Sequence, residues 1–265
     1  LADATKAGVP RMKRFLCLLF AFCLLAPVAL AEAADIAMEA SSLTGEQYYP
    51  AGSNAETAAY VFRYAYPQFS GQANGIPEIN AYYASLASDM VSTVMPETVA
   101  GMDDLPAQGS PPYYTQISYR ITANTSDYVS VLLTSQQFSG NNEEEDWTAN
   151  VFARSGVYTG QTVSLSQAMG LEQEDGVNGD SYAAELAYRL IWQIILQEQS
   201  TQRREYFPEL TQADLEKVFS PESDFYLDED GNIVFFIQSG EIASEVEGIL
   251  TYPFSIAELL SAVSK

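Results

Sequence analysis

The chain has 265 residues, 47% hydrophobic and 12% aromatic, enough for one or two ordinary cores. It carries 12 Lys and Arg against 35 Asp and Glu, and no histidine, for a formal net charge of −23. Such a balance repels nucleic-acid phosphates and anionic polymers, and the lack of histidine excludes Ser-His-Asp triads, Cys-His dyads and histidine-built zinc sites.

The chain opens on an expected targeting segment. Lys13 and Arg14 form a basic n-region, Phe15 to Leu25 an apolar h-region short for a bilayer, and Ala29–Leu30–Ala31 a small-x-small cleavage site. Residues 1–11 read as an extension ahead of Met12. Both cysteines, Cys17 and Cys23, fall in this segment, so the mature chain is expected to have neither disulfides nor thiol chemistry. Without residues 1–31 there remain 8 basic and 34 acidic side chains, a net −26. The expected location is secreted or extracytoplasmic, on the cell-envelope side, with no membrane span after cleavage; the alternative is that the apolar run is retained as an uncleaved anchor.

Residues 32–55 are Ala-, Ser- and Glu-rich without a period and read as a linker. Ala58 to Tyr66 alternates aromatics as a strand does. Ile79, Tyr82, Tyr83, Leu86, Met90 and Val94 then make one helical stripe, with Pro77 in its first turn. Pro96 to Pro112 reads as a loop. Tyr113 to Ala123, Tyr128 to Phe138 and Trp147 to Tyr158 form an expected antiparallel meander, with turns at 124–127 and 139–146. Ser181 to Arg204 is the main helix, its apolar face built by Leu186, Leu190, Ile191, Ile194 and Ile195. Thr211 with Asp214, and Ser255 with Glu258, have the spacing of helix-opening capping boxes.

The strongest local signal is Phe225–Tyr226–Leu227, an acidic turn Asp228 to Asn232, and Ile233 to Ile237. Asp, Gly and Asn suit a tight turn, which makes this a hairpin. The second run is apolar at every position, as in a strand buried on both faces beneath a helix. Asp228, Asp230 and Asn232 resemble a calcium loop in composition only; the EF-hand spacing is missing, and a hairpin turn is the stronger reading.

The segment after the hairpin carries a family resemblance. Gln238–Ser239–Gly240–Glu241–Ile242–Ala243, then Gly248 and Tyr252–Pro253–Phe254–Ser255, resembles the end of the RsiV-like extracytoplasmic family of unknown function. That family supplies the C-terminal half of an anti-sigma-factor sensor region and also occurs beside the catalytic domain of a peptidoglycan deacetylase. Tyr66–Pro67 before a helix, and Tyr158 to Leu165, resemble further family motifs. Two departures stand out: Gly240 replaces a frequent aromatic residue, and Gly140–Asn141–Asn142–Glu143 replaces a Gly-Gly-Ala-His turn.

These readings give an α+β protein with two consecutive subdomains, each a mostly antiparallel sheet with a long helix across it. The expected divisions are 1–31 (extension and signal), 32–55 (linker), 56–158 and 159–265. The resemblance implies a non-enzymatic binding or sensor module whose partner is a cationic extracellular protein of the lysozyme type. No cofactor, metal or nucleic acid is expected. The candidate contact is the acidic run Glu143–Glu144–Glu145–Asp146 beside Trp147, read as a solvated loop tip. Two alternatives remain open: a cell-wall glycan enzyme using paired carboxylates, and an accessory wall module.

Overall fold

A computed structural model describes residues 41–71, 73–102, 104–107, 109–140, 142–171 and 179–263. The expected targeting segment, and residues 32–40 of the expected linker, lie outside the described residues. Those described fall within one compact unit, and among them no helix is long and apolar enough to cross a membrane.

The fold is α+β. A five-stranded sheet comprises β1 (Ser41–Tyr49), β2 (Tyr60–Gln68), β3 (Tyr113–Asn124), β4 (Tyr128–Phe138) and β5 (Glu143–Ala153), hydrogen-bonded in that order. β2 and β3 run parallel and the other three pairings are antiparallel. Parallel neighbours need a crossover connection, commonly helical. Here it contains α1 (Ile76–Asp89), a π-turn (Met90–Val94) and α2 (Met95–Ala100). α2 corrects the expected loop, whose first residues are helical: Pro96 sits in the first turn, where its missing N–H costs nothing.

β1 corrects the linker reading over 41–49. Its sequence lacks an apolar alternation, and it is held by a nine-pair backbone register with β2 and by side chains at its margins. Arg63 Nε lies 2.6 Å from Glu46 Oε1, while Leu43 and Tyr49 pack on the core beneath α1. Gly45 faces Tyr64 so closely that a Cβ there would sit 2.3 Å from the ring. The absent side chain is what lets the tyrosine lie flat across the strand.

Between α1 and the large sheet, Tyr83 of the helix packs with the buried side chains of Tyr60, Phe62, Tyr66, Val131 and Phe152. Ile79 and Tyr83 of the expected helical stripe are buried here, with Leu86 and Met90 packed beside them.

The second sheet has three strands, β6 (Phe225–Leu227), β7 (Ile233–Ile237) and β8 (Leu250–Phe254), all antiparallel with β7 central. The helix α3 (Leu165–Ala168) and the long α4 (Gly179–Thr201) belong to its core. Leu186, Ile191 and Ile195 of α4 are buried against Phe225, Ile233, Phe235 and Tyr252. α4 ends at Thr201, with Gln202 in the left-handed region at φ 52° as the chain turns. Arg204, past the helix end, faces Glu198 and Glu247. Both capping boxes form: Thr211 and Asp214 open α5 (Gln212–Val218), and Ser255 and Glu258 open α6 (Ile256–Val263).

The small sheet also lies against the large one. Leu132, Tyr226, Val234 and Phe236 are buried between them, with Trp147, Ala149 and Ile249 alongside. The N–H of Leu227 donates to Ser130 Oγ at 3.0 Å, and Ser130 in turn receives the Thr122 hydroxyl.

Candidate functional site

The acidic run Glu143–Asp146 is the start of β5, not a loop tip. Glu143, Glu144, Glu145 and Asp146 pair with Phe138, Gln137, Gln136 and Ser135 of β4. Glutamate and aspartate are poor strand formers, but an edge strand with both faces wet tolerates them, and their charge blocks unwanted pairing. The turn is correspondingly shorter than expected, closed by the N–H of Ser139 on the carbonyl of Asn142.

Strand alternation divides the run between faces. Glu143 and Glu145 lie on the same side as Trp147, where Tyr114 donates its hydroxyl to Glu143 at 3.0 Å and Gln136 reaches Glu145 at 3.4 Å. The hydrogen bond to Glu143 raises the pKa of the Tyr114 hydroxyl above that of an ordinary tyrosine, because losing the phenolic proton would place two anions together. The Trp147 indole N–H donates to Glu145 Oε1 at 2.7 Å. Arg120 lies over the Trp147 ring at 6.0 Å, and Tyr226 and Phe236 meet it edge-on.

Across from this strand runs the connection from β7 to β8. It carries Ser239, Glu241 and Glu245, with a short 3-10 turn at Glu245–Glu247. The two segments enclose an open groove of about 730 Å³. Its lining includes six carboxylates, those of Glu143, Glu144, Glu145, Asp146, Glu241 and Glu245, and no Lys or Arg. Trp147, Ile249 and Val246 supply the apolar part, and Val246 is 94% exposed.

All five residues singled out from the sequence therefore border one groove. The sequence reading missed the opposite wall, Glu241, Glu245 and Val246, and the Gln238 amide that binds the main chain of Trp147. The only available signal was acid density after the last buried strand. Nothing local shows that Gln238 reaches Trp147, 91 positions away in the chain.

The other carboxylates with notable environments serve structure. Asp228 takes the N–H groups of Asp230 and Asn232 on Oδ1 and the Asn232 side chain on Oδ2, so its oxygens close the hairpin turn. Gly231 there has φ 78°, the left-handed region that glycine enters without a Cβ clash. Burial raises the Asp224 carboxyl above the ordinary range, and its oxygens hold the Ser220 N–H and the Ser223 hydroxyl. Glu198 is held by the Tyr206 hydroxyl and by Arg204. Among the described residues no group of three or more His, Cys, Asp or Glu is placed to hold a metal ion.

Residues 175–256 match a domain family described as "Protein of unknown function (DUF3298)". A member of that family from Bacteroides fragilis has a similar structure, with a TM-score of 0.50 and 14% identity, covering 86% of this chain and 99% of its own. A second, from Pseudomonas aeruginosa, has a TM-score of 0.47 and 13% identity, covering 85% and 94%. At such identities the first likeness speaks for the fold alone. No curated protein matches the chain.

Proposed function

We propose that the chain is an exported, RsiV-like binding or sensor module without catalytic activity of its own, and that it takes a basic protein of the lysozyme type on the acidic groove. The observation that carries this reading is the groove itself: six carboxylates without a cation among its lining residues, around a partly apolar floor. On a chain of net charge −23 that wall attracts a cation at long range, and its open shape suits a protein surface better than a small molecule. A glycan hydrolase needs one carboxyl held protonated in a water-poor setting. The groove acids Glu143, Glu144, Glu145, Asp146, Glu241 and Glu245 are all solvent-exposed.

The test is surface binding of hen-type lysozyme to the mature chain and to a quadruple variant, Glu143→Gln, Glu144→Gln, Glu145→Gln and Asp146→Asn. The variant is expected to associate on the order of tenfold more slowly at 0.1 M salt, where charges act over ~10 Å. At 1 M salt, with a range of ~3 Å, the two chains should converge. Absence of binding at low salt removes the lysozyme reading; binding that ignores the variant moves the site off the groove. Export is tested by sequencing the N-terminus of secreted material, expected to begin at Glu32. Recovery of Phe15 to Leu25 in the membrane fraction would overturn cleavage.

A further inference from the structure

One wall of the groove is the open edge of a sheet, since β5 is the outermost strand. The main-chain N–H and C=O of Trp147 point away from β4, and one side-chain amide satisfies both. The N–H donates to Gln238 Oε1 at 3.1 Å, and Gln238 Nε2 donates to the Trp147 carbonyl at 2.7 Å. A planar amide thus occupies the two positions that the C=O and N–H of one residue of an adjoining antiparallel strand would take. Alternation along β5 turns the N–H and C=O of Glu145 and Glu143 the same way, along an edge beyond which no strand lies among the described residues. Val246 stands opposite, an almost fully exposed apolar contact.

We propose that this edge accepts an extended, Lys- or Arg-bearing polypeptide segment as an added strand along Glu143–Glu145, next to the position that the Gln238 amide already holds. The inference rests on the binding-module reading and specifies the form in which the partner is presented. Two observations select the occupant. The Gln238 amide marks the edge as a place where peptide groups are bound, and the six carboxylates fix the charge of the segment. Acids along an edge repel acidic strands, including a second copy of this chain, and penalise a neutral strand through their desolvation. They leave a basic strand as the complement. Because Glu143 and Glu145 occupy one face and Glu144 and Asp146 the other, an added strand meets carboxylates on both of its faces. Cationic side chains at adjacent positions are therefore matched, where a helix would present them to one side only.

The experiment measures binding of a short Lys- and Val-containing peptide to the mature chain at 0.1 M salt, beside the same peptide N-methylated at every residue. N-methylation keeps the charge and removes every main-chain donor. The expected result is a loss of about tenfold or more in affinity, the equivalent of one or two lost hydrogen bonds. In the protein, Glu145→Pro removes the edge N–H together with the charge, and Glu145→Gln removes the charge alone. The proline variant is expected to bind the unmodified peptide more weakly than the glutamine variant, at equal denaturation midpoints. Equal affinity for the two peptides overturns strand addition while leaving charge-driven binding in place. Binding of lysozyme without binding of the peptide also overturns it, and leaves the module reading standing. Failure of both ligands at low salt removes both proposals.

Discussion

β7 and β5 show two ways for a strand to be specified. β7 is buried at all five positions, with β6 and β8 on its flanks, the core of α4 on one face and Trp147 on the other. Its information is in its side chains: hydrophobic burial fixes it wherever the backbone partners lie. β5 has four exposed acids at its start and becomes buried only over its last three residues. Its first half is a strand because β4 offers it a ladder. Hydrophobic pattern governs the one, main-chain pairing the other, and mutations should act on them very differently.

The largest expected effect is on β7. Phe235→Ala removes a fully buried ring that meets Phe219 and Phe254 edge-on, and should cost roughly 3–5 kcal/mol in chemical denaturation. An unchanged midpoint would break the comparison, since it would make the buried strand as dispensable as a wet edge.

The same contrast explains what the sequence reveals. The hairpin, the long helix and the two capping boxes are readable because each is encoded locally, by an unbroken apolar run, a 3.6-residue stripe, or a pair of residues three apart. β1 is not readable, because Ser41–Tyr49 contributes main-chain pairing and a few marginal contacts. The acidic run is legible as a charged surface but not as a strand, since turn-like composition continues past the actual turn. Neither the parallel placement of β2 beside β3 nor the meeting of Gln238 with Trp147 has a local signature. Both depend on where distant segments are brought by the fold.

A middle-sized effect should come from the contact linking these two kinds of strand. Gln238→Leu keeps much of the side-chain volume but leaves the part-buried N–H and C=O of Trp147 without the amide. A loss of about 1–3 kcal/mol is expected, the usual consequence of orphaning buried polar groups. Trp147 fluorescence followed through denaturation reads it directly. A loss below that range would mean that water replaces the amide easily and that the edge is wetter than its geometry implies.

The smallest effect concerns a purely local device. Bonds from Lys217 and Thr211 lower the Asp214 carboxyl from 3.8 to about 2. A carboxyl lowered in the folded state contributes stability that is present above its unfolded value and lost as pH falls through the folded one. Fraying at the start of α5 is therefore expected between about pH 4 and pH 2, visible as a shift of the Asp214 amide resonance. Titration near 3.8 would show that the box is open in solution.

The hydroxyl of Ser130 has a further consequence, for cooperativity. It receives the Leu227 N–H from the small sheet while sitting on β4 of the large one, paired on both sides by β3 and β5, and Leu132 two positions on is sealed under Tyr226 and Phe236. Peeling away β6–β8 would strip that N–H of its acceptor and wet an apolar seam at once. Partial opening between the sheets is thereby made nearly as costly as complete unfolding. Slowly exchanging amides on β4 and β7 should share one exchange free energy, and heat should melt the two sheets in a single calorimetric transition.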